Sequence, residues 1–289
     1  MNTVRATALL AGLTGLLLAV GAFFGGTRGI TIMLVISLLM NFVSYWFSDK
    51  IVLSMYGARE VTPQDASDLI RMVSGLVQKA KLPMPKVYMI DTDVPNAFAT
   101  GRNSQHAAVA VTTGLIRTLK VEELEGVIAH ELAHIKNHDT LISTVVASIA
   151  GVITMIANIA QWTAFWGFGR DNDEDGSGIA SIVEFIFLVL LAPLAATLIQ
   201  LGISRSREFK ADETGSIISG NALALASALE KIEYYAKGKV MLEATPATSH
   251  MFIINPFSGT SSWLMSLFST HPRTDDRVAK LKELSKRGR

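Results

Sequence analysis

Cysteine is absent from the 289 residues of this chain. Its absence excludes disulfide bonds, thiolate metal ligands and a cysteine nucleophile. A metal ion could therefore be held only by histidine, aspartate and glutamate side chains. The chain has 6 histidines and 25 acidic residues, so the possible donors are few enough to examine by their spacing.

Charge is scarce as well. Only 18% of the residues are charged, whereas 49% are hydrophobic, and the mean hydropathy is +0.36. The formal net charge of +1 lacks the basic surplus that nucleic-acid-binding proteins carry, so we expect no nucleic-acid partner. The composition is too apolar for an ordinary soluble domain and predicts a protein in contact with a lipid bilayer.

Four apolar runs are long enough to cross a bilayer, which takes about 20 residues of helix. They cover residues 6–24, 30–47, 141–166 and 179–203. The first run is long for a signal core, and a second follows five residues later, so we interpret it as a retained anchor. The sequence thus predicts four transmembrane helices.

Lysine and arginine near the span ends predict the orientation, because they accumulate on the cytoplasmic side. The loops at 25–29 and 167–178 hold one arginine each, Arg28 and Arg170. The opposite side carries seven basic residues: Arg5, Lys50, Arg59, Lys136, Arg205, Arg207 and Lys210. We therefore expect both termini and both large polar segments in the cytoplasm.

The predicted spans divide the chain into two N-terminal transmembrane helices (1–48), a first polar half (49–140), a transmembrane hairpin with a short loop (141–203) and a second polar half (204–289). Neither polar half is large enough for a robust core of its own, so we expect one split α+β domain. The patterns predict helices near 63–80, 122–137, 221–235 and after Pro272. They predict short strands at 85–91, 96–101 and 107–113, which would form a small sheet.

The stretch VIAHELAHIKNHD, residues 127–139, has the spacing of a metal site. On a helix, His130 and His134 share one face with their Cβ atoms about 5–6 Å apart, which suits a tetrahedral zinc ion. Glu131 is turned by about 100° and can reach an attacking water without binding the metal. Two ligands and a general base on one helical turn form the HExxH pattern.

A third ligand is needed, and the stretch SRSREFKAD, residues 204–212, offers one. Glu208 could complete the site, and Asp212, four residues later on the same helical face, could accept a hydrogen bond from a ligand imidazole. The same spacing also fits a charged helix start at a membrane interface. His134 and Glu208 can meet only if an even number of spans separates them, and two are predicted. His138 is expected to be a surface residue.

Five stretches in this order, NAFATG, AVAVTTGL, VIAHELAHIKNHD, SRSREFKAD and STHPRTDDR, resemble the membrane-embedded gluzincin peptidases, and within them the HtpX-type zinc metalloproteases. The resemblance implies a gluzincin-type catalytic domain with one Zn²⁺ per chain, bound by His130, His134 and Glu208, and with Glu131 as the base. It also implies hydrolysis of misfolded or damaged membrane proteins in stress-response quality control at the bacterial inner membrane, with the catalytic domain in the cytoplasm.

Further roles are implied by the resemblance alone. NAFATG is similar to the family's substrate-facing edge strand, so Asn96, Ala97 and Phe98 would bind substrate, the first two by backbone pairing. In STHPRTDDR, His271 would be catalytic and donate to the oxyanion, and Arg277 would brace the site. Without the resemblance, NAFATG could be a surface turn, and a histidine before proline is more often a plain helix cap.

Two other functions remain open. A CAAX-prenyl-type membrane endopeptidase would share the same metal-binding elements, and a non-catalytic membrane scaffold could carry a structural zinc. Structural sites usually have four protein ligands, whereas only three are evident here.

Overall fold

The computed structural model describes residues 2–146, 205–237, 252–253 and 272–287. Most of the predicted transmembrane hairpin, His250 and His271 lie outside these ranges. The helices and strands below therefore refer to the described residues.

Helix α1 (Asn2–Met55) is bent into two arms at Gly26, whose φ of 52° and ψ of −137° are not helical. The two arms run antiparallel and contact each other: Asn41 Nδ2 on the second arm donates to Thr14 Oγ1 on the first at 2.8 Å. Near the bend the backbones of Gly21 and Gly29 touch, and a Cβ on either glycine would collide with the other residue. The arms match the first two predicted spans, and the turn between them lies within the predicted loop.

Four strands form one small mixed sheet: β1 (Arg59–Glu60), β2 (Lys86–Ile90), β3 (Ala97–Gly101) and β4 (Ala107–Thr112). The order in the sheet is β1-β2-β4-β3. The central pair β2 and β4 is parallel, and each outer strand is antiparallel to its neighbour. The small sheet and its three longer strands are as the sequence predicts, and β3 lies at an edge of it.

Besides a short 3-10 helix at Ser104–His106 and a helical segment at residues 140–146, the described residues form six further helices. They are α2 (Ser67–Ala80), α3 (Thr113–Thr118), α4 (Val121–Lys136), α5 (Arg205–Ser219), α6 (Ala222–Lys237) and α7 (Thr274–Arg287). Helix α4 lies at the centre, since its apolar residues share a core with the inner faces of the sheet and with α2, α5, α6 and α7. Both polar halves of the chain thus contribute to one hydrophobic core.

Glycines let α4 approach its two neighbours closely. A Cβ on Gly215 of α5 would lie 2.8 Å from the Cα of His130, and a Cβ on Gly126 of α4 would lie 3.0 Å from the backbone of Leu225 on α6. Because a real Cβ almost never comes so close, Gly215 is what allows α5 to pack against α4 at His130.

The four predicted spans are confirmed only in part. By length and composition, one helix among the described residues could cross a membrane, Gly25–Met55, and a shorter apolar helix covers Ala6–Ala19. The helical arm continues to Met55, beyond the predicted end of the second span at residue 47. Residues 140–146 are helical where the third span is predicted to begin, and the remainder of that span and the fourth lie outside the described residues.

Candidate metal centre

Helix α4 brings His130 and His134 together at its buried end. Their Nε2 atoms lie 3.2 Å apart, and the His130 side chain is buried whereas that of His134 is 17% exposed. The first half of α4 is anchored by Glu123, whose carboxylate accepts hydrogen bonds from the Lys120 N–H, Ser227 and Lys231. The spacing of four residues therefore places both imidazoles on one face, as predicted.

Glu208 on α5 completes a group of three possible ligands. Its Oε2 lies 3.7 Å from His130 Nε2, and its Oε1 lies 3.5 Å from His134 Nε2. All three ligand atoms fall within 4.8 Å of one another. Tetrahedral bonds of about 2.0–2.1 Å place ligand atoms about 3.4 Å apart. The observed separations therefore fit one zinc ion between the three side chains, with a fourth position left for water or substrate.

Asp212 lies behind His130, one turn beyond Glu208 on α5. Its Oδ1 is 3.0 Å from His130 Nδ1, a hydrogen-bonding distance, although the ring is not turned to point its N–H at that oxygen. Arg277 of α7 forms a bidentate pair with the same carboxylate, with Nε–Oδ2 at 2.9 Å and Nη2–Oδ1 at 2.7 Å. Burial alone would raise the pKa of Asp212, but the Arg277 charge and the hydrogen bonds lower it to about 2.

His134 has its own acidic neighbour. Its Nδ1 lies 3.4 Å from Oδ2 of Asp139, which is buried. Burial alone would lower the pKa of His134, but the hydrogen bond to Asp139 and the nearby carboxylates raise it to about 9. Since a metal binds the deprotonated imidazole, metal binding near neutral pH would release this proton.

The Glu131 carboxylate is buried beside the three possible ligands and faces the edge strand. Its Oε2 accepts a hydrogen bond of 2.9 Å from the Ala99 N–H. Burial raises the pKa of Glu131 above its ordinary value. A carboxylate with a raised pKa accepts and releases a proton more readily near neutral pH, which is what a general base requires.

The structure shows which residues of β3 face its open edge. Along an antiparallel strand, backbone groups face the partner strand and away from it in turn. The Asn96 C=O accepts from the Thr112 N–H, and the Asn96 N–H donates to Thr112 Oγ1, both at 2.9 Å. By this alternation Phe98 also faces β4, whereas Ala97 and Ala99 face outward. The backbone of Asn96 is thus already bonded to Thr112, whereas Ala97 and Ala99 present their backbone groups at the open edge. The substrate-binding roles expected of Asn96, Ala97 and Phe98 stay predictions.

The other predicted residues have different outcomes. Arg277 holds Asp212 and also donates to the Ile253 C=O at 2.8 Å. These contacts suit the bracing role, which stays a prediction. The Asn96 side chain accepts from the Ile253 N–H at 3.1 Å, so it fastens a neighbouring segment. His138 is exposed, as predicted. His271 lies outside the described residues.

Two residues near the site were missed by the sequence reasoning, Asp139 and Ala99. Asp139 is the last residue of the quoted motif stretch. It is five residues after His134, so a continued helix would not place the two on one face, and their contact was not predicted. Ala99 carries no chemical signal, because its contribution is a backbone N–H.

Two histidines and a glutamate around one point, beside a buried carboxylate and a strand edge, define the site of a metallopeptidase. The comparisons agree. The model of the family described as Peptidase family M48 matches residues 63–285. The Protease HtpX homolog of Desulforapulum autotrophicum is 51% identical over 287 residues, which covers 99% of this chain and 91% of that protein. That of Methylibium petroleiphilum is 54% identical over 283 residues, with 97% and 96% covered.

The chain therefore belongs to peptidase family M48 and is a metalloprotease of the HtpX type. The relatives do not favour the CAAX-prenyl or the scaffold interpretation. Among solved structures, the crystal structure of S. mikatae Ste24p matches with a TM-score of 0.47 and 17% identity. The match covers 96% of this chain and 65% of that one, so this chain spans less than two thirds of the Ste24p length.

Proposed function

We propose that this protein is a zinc-dependent endopeptidase of the bacterial inner membrane that hydrolyses misfolded or damaged membrane proteins during stress. One observation carries the proposal. Side chains from two helices far apart in the sequence, His130 and His134 on α4 and Glu208 on α5, converge within 4.8 Å. The buried Glu131 and the outward edge of β3 lie directly beside them.

Zinc fits this donor set. Histidine nitrogens and one carboxylate are the ligands of many catalytic zinc ions, and the chain has no cysteine for a closed thiolate site. Asp212 and Asp139 stand behind the two imidazoles, so each ring has an acceptor on its far side. When bound, zinc would supply polarisation of the scissile carbonyl and a lower pKa of water.

The remaining steps of the reaction are carried out by side chains and backbone groups of the chain itself. Glu131 takes the proton of the attacking water and passes it to the leaving amine. Ala97 and Ala99 hold the substrate backbone along the edge of β3, where the Ala99 N–H now bonded to Glu131 would become available. Arg277 holds Asp212, and through it His130. His271 donates to the developing oxyanion, a contribution of about 3–4 kcal/mol in comparable sites.

Pairing along a strand edge selects extended peptide segments over folded ones. This supports unfolded polypeptides as substrates. The apolar helix Gly25–Met55 and the predicted hairpin would hold the site beside the bilayer, which supports damaged membrane proteins as a source of such segments. The division into 1–48, 49–140, 141–203 and 204–289 belongs to the same proposal, with both polar halves forming one cytoplasmic domain. Their shared core supports it.

The test compares wild type with Glu131→Gln, in detergent, for zinc content and for cleavage of a misfolded membrane protein. Wild type should bind about one zinc per chain and lose activity to a chelator, and Glu131→Gln should keep zinc but lose cleavage. Glu122→Gln, an exposed glutamate on the same helix, is the control and should match wild type. Activity in Glu131→Gln, or in zinc-free protein, would refute the proposal. Cleavage of a prenylated peptide instead of the unfolded substrate would favour the CAAX alternative.

A further inference from the structure

We propose that Asp139 is a positioning residue that fixes the His134 imidazole for metal binding. The inference rests on the metal site proposed above. His134 presents Nε2 to His130 and Glu208, while its Nδ1 lies 3.4 Å from Asp139 Oδ2. An imidazole that donates from Nδ1 must carry its free lone pair on Nε2, which is the nitrogen that faces the ligand group.

The end of α4 explains how Asp139 reaches this position. The Asp139 N–H donates to the His134 C=O at 2.9 Å, and the His138 N–H donates to the Ile135 C=O at 3.1 Å. Between them, His138 has a φ of 58°, in the left-handed region. These two hydrogen bonds around a left-handed residue form a Schellman motif, which turns the chain back over the last helical turn. Asp139 is thereby placed against His134, five residues before it.

The segment after Asp139 fixes it from the other side. The Asp139 C=O accepts hydrogen bonds from the Ser143 N–H at 3.4 Å and from the Ser143 hydroxyl at 3.5 Å, within the first turn of the helical segment at 140–146. The backbone of Asp139 is thus bonded to both helices. The fold thus fixes the Asp139 backbone beside the last turn of α4, which starts its side chain within reach of His134 Nδ1.

Each of the two candidate metal-binding histidines thus has a carboxylate beside its Nδ1, and the two carboxylates come from different parts of the fold. His130 is supported by Asp212 from another helix, and Arg277 holds that carboxylate. His134 is supported by a carboxylate from the cap of its own helix. Asp139 directly precedes the predicted third span. The residue that supports His134 would therefore also connect the metal site to that span.

The experiment measures zinc affinity by chelator competition on detergent-solubilised full-length chain, for wild type, Asp139→Ala, Asp139→Asn and Asp68→Ala. Loss of such a support weakens zinc binding by about 10–100-fold in comparable sites, so Asp139→Ala should bind zinc about that much more weakly. Asp139→Asn keeps an oxygen acceptor at the same place and should restore most of the affinity. Asp68, whose side chain is 94% exposed, is the control and should show wild-type affinity.

A second readout separates positioning from a merely structural role. With Co²⁺ in place of zinc, the visible spectrum should shift in Asp139→Ala, and much less in Asp139→Asn. An Asp139→Ala protein with lower thermal stability but wild-type zinc affinity and Co²⁺ spectrum would overturn the inference. If Asp139→Ala does not fold, Asp139→Ser takes its place: it should bind zinc about 10–100-fold more weakly than Asp139→Asn. Equal zinc affinity in Asp139→Ser and Asp139→Asn would overturn the inference.

The same measurements distinguish this inference from the proposed function. If wild type binds no stoichiometric zinc, the proposed function and the inference both fail. If wild type binds zinc tightly and depends on Glu131 for cleavage, while Asp139→Ala binds zinc equally well, only the role of Asp139 fails.

Discussion

Arg277 is one of the largest side chains that the described fold buries completely, with 1% exposure. Its guanidinium satisfies Asp212 through two hydrogen bonds and the Ile253 C=O through a third. It also lies 3.7 Å from Glu208. A buried charge of this kind is tolerated because opposite charges and hydrogen-bond acceptors surround it. Removal of one member of such a group leaves the remaining charges buried without a partner.

Arg277→Met should therefore lower the free energy of unfolding by about 3–5 kcal/mol, since it leaves the Asp212 carboxylate buried without its partner. Urea unfolding of the metal-free protein checks this. Arg273→Met removes an arginine four residues earlier whose side chain is 81% exposed, and it should change stability by less than about 0.5 kcal/mol. Equal losses in the two variants would contradict the role given to Arg277.

At the scale of secondary-structure elements, the close contact between α4 and α5 depends on Gly215. Helices normally keep their backbones apart by the width of their side chains, and here a glycine removes that spacing at His130. Glu208 is on the same helix, two turns before Gly215. The distance between these helices therefore also sets the distance from Glu208 to the histidines.

Gly215→Ala should push α5 away from α4, lower the free energy of unfolding by about 1–3 kcal/mol and weaken zinc binding, because the added Cβ has no room. Gly75→Ala on α2 is the matched control. A Cβ there meets no atom of the described residues within 4 Å, so it should stabilise the protein by about 0.5–1 kcal/mol through helix propensity. Wild-type zinc affinity in Gly215→Ala would contradict the argument.

The start of α4 gives a pH-dependent prediction. Burial alone would raise the pKa of Glu123, but the hydrogen bonds from Lys231 and the Lys120 N–H lower it below 4.5. A lowered folded pKa stabilises the protein above the unfolded value of 4.5, and this contribution is lost as the pH falls through the folded pKa. Glu123→Gln should therefore be less stable than wild type at pH 7, and the difference should shrink near pH 3.5. Unfolding of metal-free protein at both values tests this, and a constant difference would contradict it.

At the scale of the whole molecule, the ligands of one candidate site come from both sides of a predicted membrane hairpin. His134 precedes it and Glu208 follows it, yet their side chains lie 3.5 Å apart. This meeting supports an even number of crossings between them. The two polar halves would then lie on one side of the membrane, and the loop at 167–178 on the other.

Because the chain has no cysteine, single cysteines can test this arrangement. A membrane-impermeant maleimide should label Asp173→Cys, in the loop, on intact spheroplasts. It should label Arg273→Cys, at an exposed position of the second polar half, only after the membrane is opened. Labelling of both variants from the same side would contradict the predicted topology.

Local patterns in the sequence were sufficient for much of the fold and half of the site. The helix period places His130, Glu131 and His134 on one turn, because that arrangement depends only on residues within four positions. The same holds for the strands at 86–90, 97–101 and 107–112, whose apolar composition and flanking turns are local signals. Apolar length alone predicted the first two spans, because crossing a bilayer requires it. Among the described residues one helix there, Gly25–Met55, is long and apolar enough to cross a membrane.

Packing between distant segments decided the rest. Arg277 meets Asp212 across 65 positions and Asn96 holds Ile253 across 157, and no sequence period connects residues so far apart. The direction in which Ala97 and Ala99 face depends on the pairing of β3 with β4, and a shift of one residue would reverse it. Asp139 reaches His134 through a left-handed turn at His138, a conformation that a non-glycine residue adopts only when its surroundings stabilise it.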